Sequence, residues 1–420
     1  MTLTLSAEER AMAAGARGTA VAMAARILAD TAALLGAERL IEVTSSHVDG
    51  CLYHGDSGVE FAERLAAEGG RVAVPTTLNV GALDLLHPGR VRFDPHRAAM
   101  ARRLMAAYEA LGCTPSWTCA PYQAGHRPKR GEHVAWGESN AVVFCNSVLG
   151  ARTNRLGDFL DICAALCARA PYAGLHRDQD RRARIVVDAS GLSERLRTTE
   201  AFYPVLGAWL GAEIGSAVAA ITGMPRPIPE DRLKALGAAA ASSGAVGLFH
   251  IVGVTPEAPD LATATGGEAP ERRIALTPAM IRAARDRLST AAAGTRRIDA
   301  VAVGSPHFSE EEFSELGRLL AGRRLAVPFY ACTGRGVLRQ IEASGLLATL
   351  TAAGVEIVTD TCVVVAPILP DSGGVLMTNS GKFAHYATPN TGFATIYGSL
   401  ADCVASAVEG RIARDESLWQ

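Results

Sequence analysis

Three segments near the C-terminus decide the fold class: Asp299–Phe313 (DAVAVGSPHFSEEEF), Arg324–Val337 (RLAVPFYACTGRGV) and Val355–Ile368 (VEIVTDTCVVVAPI). Each runs from apolar, β-prone residues into a loop carrying hydroxyl, thiol or charged side chains, with helix-forming sequence between. That alternation predicts βαβ units and mostly parallel sheets, an α/β protein. In an open α/β sheet such loops gather outside the carboxyl ends of the strands, where ligands bind. Ser305, His307, Cys332, Thr333, Asp360 and Cys362 are thereby expected at one edge.

The same rhythm extends toward the N-terminus. Residues 6–36 read as one helix ended by Gly36, before the short strand and polar loop of IEVTSSHVDG. FAERLAAEGG reads as a helix, RVAVPTTLN as a strand, residues 95–112 as a helix and TPSWTCAPY as a strand. Residues 255–274, rich in Pro, Gly and Thr, read as a surface loop or connection. The main boundary is placed near 290, after the helix TPAMIRAARDRLSTAAAG. This gives a 1–290 N-terminal α/β region, divisible into two subdomains, and a 291–420 C-terminal domain.

With 420 residues, 41 basic and 43 acidic, the net charge is -2, and no block of like charge marks a nucleic-acid groove or a membrane-binding face. No run of 18 apolar residues exists, and Glu8, Glu9, Arg10, Arg17 and Arg26 punctuate the Ala-rich start, unlike a secretory leader. A cytoplasmic protein acting on a small molecule is the expectation. The nine cysteines, an odd and scattered set, argue against disulfides and leave packing, catalysis or metal binding.

Cys119, Cys332 and Cys362 each sit at or just after a predicted strand, where converging loops could join three thiolates around a metal centre. For any one of them alone, a buried core position is the ordinary reading. Cys332 precedes the helix start GRGVLRQIEASG, and Arg335 adds positive charge beside it; both would favour thiolate. Ser309 and Glu312 fit a capping box. MTNSGKFAHYA lacks the P-loop pattern; it reads as a turn presenting Asn379, Ser380 and Lys382 to an anionic group, or as a polar hairpin turn. GARTNR could clamp a carboxylate or phosphate through its arginines. GRG at Gly334 lacks the third glycine of a dinucleotide site, and neither a nucleophile elbow nor H-E-x-x-H is present.

Taken together, IEVTSSHVDG, TTLN, TCAPY, WGESNAVVFCNSVLGARTNR, GLH, GSPHFS, ACTGR, TDTCVVVAPI and MTNSGKFAHY resemble the large subunit of the aconitase X family, over about residues 5–412. The resemblance implies aconitase-like large-subunit domains and an iron–sulfur hydro-lyase, with Cys119, Cys332 and Cys362 as ligands. The cluster could be 2Fe–2S, 3Fe–4S or 4Fe–4S, and a mononuclear iron is an alternative. Ser305 stands where some relatives have cysteine. The swivelling domain of aconitases finds no room in this chain and is expected on a separate small subunit. Family substrates are small hydroxy acids: cis-3-hydroxy-L-proline, giving pyrroline-2-carboxylate, or mevalonate 5-phosphate. The proline substrate is favoured, and a non-catalytic cluster-bearing scaffold or sensor is a further reading. Ser45, Ser46, His47 and Lys382 are the catalytic candidates. Asp56, Ser57, Asn79, Glu138, Ser139, Arg152, Asn154, His176, Ser305, His307, Asn379 and Ser380 are the candidates for binding substrate.

Overall fold

The computed structural model describes residues 3–371 and 373–420, which form two compact units. The first holds the chain through Leu83 together with Phe93–Arg182; the second holds Asp84–Arg92 and Ala183–Gln420.

The first unit carries β1 (Leu40–Glu42), β2 (Ser46–Val48), β3 (Thr76–Leu78), β4 (Ala135–Trp136) and β5 (Arg169–Pro171). β1 and β5 pair antiparallel, while β3-β2-β4 form a parallel sheet with β2 in the centre. Two sequence expectations change here. The stretch read as one helix over 6–36 is two, Ala7–Ala13 and Thr19–Leu34, because Gly15 and Gly18 turn the backbone through positive φ of 101° and 93°. TPSWTCAPY is not a strand: Thr114 makes one bridge to Thr77, Trp117 has φ 42°, and a 3-10 turn follows over Pro121–Ala124. Its two prolines lack the N–H that a central strand donates.

In the second unit, β6 (Ile185–Asp188), β7 (Ala219–Thr222), β8 (Phe249–Ile251) and β9 (Arg272–Ala275) form a parallel sheet in the order β8-β7-β6-β9. β9 and the short helix Leu261–Thr265 lie in the stretch read as loop. β9 is an edge strand and mostly exposed, so it carries no apolar signature. The second sheet contains β10 (Ala300–Phe308), β11 (Phe329–Thr333), β12 (Val355–Thr359), β13 (Gly374–Thr378) and β14 (Phe393–Tyr397). It is parallel throughout in the order β12-β11-β10-β13-β14, so the winding reverses between β10 and β13.

Both faces of that sheet are covered, which is why β10 is buried along its whole length and opens on the apolar run AVAV before the polar GSPH. Val301, Val303, Phe329, Ala331, Ile357 and Met377 pack with Phe313, Leu316 and Ile341 from the flanking helices. The capping box of Ser309 and Glu312 opens helix Glu310–Leu320 as expected. Ser380 caps helix Gly381–Thr391, so Asn379–Lys382 is a strand-to-helix turn rather than a hairpin turn. No described helix is long and apolar enough to cross a membrane.

Candidate functional site

The winding reverses between β10 and β13, and the carboxyl edge of the five-stranded sheet at such a switch is the position where doubly wound sheets bind ligands. Four strands deliver side chains there. β10 ends in Ser305 and His307, β11 in Cys332, β12 leads into Asp360 and Cys362, and β13 leads into Asn379, Ser380 and Lys382. Ser380 Oγ donates to the Ser305 carbonyl, bridging the two strands at which the winding changes.

Cys332 and Cys362 meet at this edge, both buried. A hydrogen bond from the Cys332 side chain stabilises the Cys362 thiolate, against the effect of burial. The Val364 amide, the Ser305 hydroxyl and the Lys382 charge add to it, and together they pull the Cys362 pKa below the ordinary thiol value. These neighbours favour the thiolate, the form that binds metal. Beside it the Thr361 hydroxyl is buried with no hydrogen-bond partner.

The loop behind Cys362 is tightly held. Asp360 adopts φ 62°, unusual for a residue with a side chain. Arg335 donates two bonds to its carboxylate, at 2.6 and 2.7 Å. Arg335 is thus committed to Asp360 rather than left as a free charge near Cys332. His307, fully buried, bonds through Nε2 to the Thr361 carbonyl at 3.2 Å. Its own carbonyl accepts from Lys234 at 3.1 Å. Lys234 is itself buried between Asp231 and Glu312. Burial pulls its pKa down, but the two carboxylates outweigh that and lift it to about 12. Nothing in the helical sequence EDRLKALG marks this lysine.

In the first unit, Ser46, His47 and Asn79 lie at β2 and the end of β3, while Glu138 and Ser139 follow β4. Along β2 successive side chains alternate between faces. Ser46 Oγ donates to the Ala135 carbonyl at 2.6 Å, whereas Ser45 Oγ and His47 Nε2 are buried without partners. Asn79 donates to Asp49, whose amide donates to the buried Asp161 carboxylate at 2.6 Å. Glu138 caps helix Ser139–Phe144, accepting from the Ala141 amide at 2.6 Å. Cys119 is buried in the loop after Trp117, where its carbonyl accepts from Asn140 at 3.0 Å.

The remaining candidates lie elsewhere in that unit. Asp56 and Ser57 are exposed at the start of helix Asp56–Ala67. Asn154 bonds the Ala173 carbonyl and the Leu175 amide, both at 2.8 Å, and Arg152 bonds the His176 carbonyl and Asp178. These bonds tie residues 152–154 to 173–178. His176 is fully buried with Nδ1 3.0 Å from Nδ1 of His133.

A doubly wound α/β enzyme fold, with paired thiols at a switch of winding, is the class these features define. Models of the first, second and third domains of aconitase X match residues 2–179, 183–286 and 298–409. The chain belongs to the aconitase X family. It is 45% identical to cis-3-hydroxy-L-proline dehydratase of Pseudomonas aeruginosa, an alignment covering 99% of this chain and 72% of that protein. Against the phosphomevalonate dehydratase large subunit of Methanothermobacter thermautotrophicus the identity is 36%, over 94% of this chain and 96% of that one. The crystal structure of Thermococcus kodakaraensis aconitase X in its holo-form superposes with a TM-score of 0.86 at 32% identity, covering 96% of this chain and all of the other. These relatives are dehydratases, and the chain is a hydro-lyase of their family.

Proposed function

We propose that this chain is the thiol-bearing large subunit of a dehydratase that converts cis-3-hydroxy-L-proline to pyrroline-2-carboxylate. The observation that carries the reading is the junction of Cys332, Cys362, Ser305 and Lys382 at the winding switch, in a chain whose 45% and 40% identical relatives are cis-3-hydroxy-L-proline dehydratases. Relatives named phosphomevalonate dehydratase large subunits are 36% identical or less.

The donor set fits a thiolate-ligated iron–sulfur group: two adjoining buried thiols, one of them with its thiolate favoured by its neighbours, next to the unpartnered Thr361 hydroxyl. Cys332 and Cys362 would hold it, with Cys119 as the third ligand on the strength of its TCAPY motif. When bound, such a group supplies a Lewis acid toward the departing hydroxyl, whose developing negative charge would otherwise set the barrier. The chain's own residues do the rest. Lys382, at the start of its helix, offers a cation to the substrate carboxylate, and the Ser305 hydroxyl orients the ring. The rigid turn at Asp360 and the His307–Thr361 bond keep Cys362 from drifting.

The proton acceptor is proposed to reside on a smaller partner subunit. The phrase "large subunit" in the names of the phosphomevalonate relatives supports a two-chain enzyme. The test is co-expression with the family's small subunit, anaerobic purification, and assay on both hydroxy acids, alongside Cys362→Ser. The expected result is turnover of hydroxyproline by the pair, with iron content and visible absorbance lost together in the variant. Full activity in an iron-free Cys362→Ser enzyme overturns the mechanism. Turnover of mevalonate 5-phosphate alone overturns the substrate, and turnover of neither favours a scaffold.

A further inference from the structure

The parallel sheet of the first unit carries a second constellation. His47 on β2 is in register with Thr77 on β3 and with Trp136 on β4, so the three side chains share one face. The loop after the Pro121–Ala124 turn lays His126 over that face, its ring edge-on to Trp136 with centroids 5.1 Å apart. His47 Nδ1 lies 2.9 Å from Thr77 Oγ1, and Thr77 Oγ1 lies 2.7 Å from His126 Nδ1. The Thr77 hydroxyl has no other partner among the described residues. The outer nitrogens, His47 Nε2 and His126 Nε2, are buried and unpartnered, and Ser45 Oγ, just before β2, is equally unmet.

We propose that His47, Thr77 and His126 form a proton relay, in which one hydroxyl holds two neutral imidazoles in opposite tautomers and passes a proton between their Nε2 atoms. The count of hydrogens requires the opposition. A hydroxyl has one proton, and a neutral imidazole has one N–H and one bare nitrogen. If Thr77 donates to one Nδ1, that ring carries its proton on Nε2. The other ring must then donate its own Nδ1–H to the Thr77 oxygen, leaving its Nε2 bare. Two donating rings would strand the hydroxyl proton without a protein acceptor in a half-buried place, at a penalty of up to about 1–3 kcal/mol.

Transfer balances without any change of charge at its ends. A proton arrives at the bare Nε2, that ring's Nδ1 proton moves to the Thr77 oxygen, the Thr77 proton moves to the facing Nδ1, and the second ring releases its Nε2 proton. One proton enters, one leaves, and no electron moves. Both rings stay neutral at working pH: burial pulls His47 down to about 3, with His126 adding to it and Glu138 opposing, and burial pulls His126 to about 4. Among the described residues, the charged or titratable groups that bear on the pair are these two rings and Glu138. An elimination that strips a proton from carbon must regenerate its base, by passing that proton to the departing hydroxide or to solvent, which is the use such a relay serves; its catalytic role therefore rests on the dehydratase reading.

Two measurements separate the relay from that reading. The first is nitrogen NMR of 15N-histidine-labelled protein, with the two rings assigned by the signals that vanish in His47→Asn and His126→Asn. One ring is expected with its proton on Nε2 and the other on Nδ1; both rings protonated on Nδ1 overturns the proposal, whatever the enzyme does. The second is Thr77→Val, which keeps the shape and removes the hydroxyl. With the small subunit present, kcat should fall at least tenfold with KM within twofold and an altered solvent isotope effect, and Thr77→Ser should restore most of it. A folded Thr77→Val enzyme with unchanged kcat and isotope effect overturns the relay. If the wild type turns over neither hydroxy acid, the dehydratase reading fails while the tautomer measurement still judges the relay.

Discussion

At the scale of single residues, several of this chain's buried polar groups are defined by what they lack. His176 is fully enclosed, its Nδ1 facing His133 and its Nε2 without a partner. Burial, reinforced by His133, Arg181 and Arg152, pulls its pKa down to about 3. The folded form thus resists protonation that the unfolded chain accepts near the ordinary value of 6.5. The stability this histidine contributes is complete above 6.5 and is lost as pH falls from there toward 3. Glu312, pushed by burial to about 7, has the opposite sign, so the clean test is a difference between two proteins. Between about pH 7.5 and 5.5 the stability gap between wild type and His176→Gln should narrow by about 1 kcal/mol, since a tenfold change in proton affinity between folded and unfolded chains is worth about 1.4 kcal/mol. Urea unfolding at the two pH values measures it; a gap that stays constant or widens contradicts the assignment.

At the scale of elements, the close approach of β10 and β11 sets where the thiol edge lies. Gly304 has φ 85°, and a Cβ there would drive into the backbone of Cys332. Gly304→Ala should therefore force the strands apart where Cys332 is delivered, with a loss on the order of 2 kcal/mol or more from backbone strain and displacement together. Iron content and urea unfolding, measured on one preparation, are expected to fall together; an unperturbed variant would show that the strand ends tolerate movement. Elements of this kind differ in how far the sequence reveals them. β10, β11 and β12 are legible because each is mostly buried and rich in apolar, β-prone residues, and the strand ends and the turn after β12 carry Ser305, Cys332 and Cys362. β9 is illegible because an exposed edge strand needs no apolar pattern, and TPSWTCAPY misleads because its prolines cannot be weighed without the neighbouring Thr77. Thr77, His126 and Lys234 escape notice for a related reason. Each is an ordinary residue in an ordinary segment, and only pairing across 30 or more positions gives it a role.

At the scale of the whole molecule, the order of the chain is not the order of its units. Residues Asp84–Arg92 belong to the second unit although the sequence on either side, through Leu83 and from Phe93, builds the first. Two anchors hold this excursion. The Arg92 amide donates to the Pro367 carbonyl at 3.0 Å, and the buried Asp84 carboxylate accepts from the Thr359 amide at 3.2 Å and the Thr359 hydroxyl at 3.1 Å. The same carboxylate accepts from the Leu86 and His87 amides and lies 3.6 Å from Arg90. Since Thr359 precedes Asp360 and Cys362, a side chain 275 positions away in sequence fixes the end of β12 at the thiol edge. Asp84→Ala would leave the buried Thr359 N–H and O–H without acceptors, each worth about 1–3 kcal/mol, so a total loss of about 3 kcal/mol is expected. Asp84→Asn, which keeps one acceptor oxygen, should lose less. Denaturant unfolding ranks the three proteins, and hydrogen exchange of residues 359–362 should quicken in the same order. If Asp84→Ala unfolds at the wild-type midpoint with unchanged exchange there, the excursion is incidental to the site, and β12 is held by its own sheet alone.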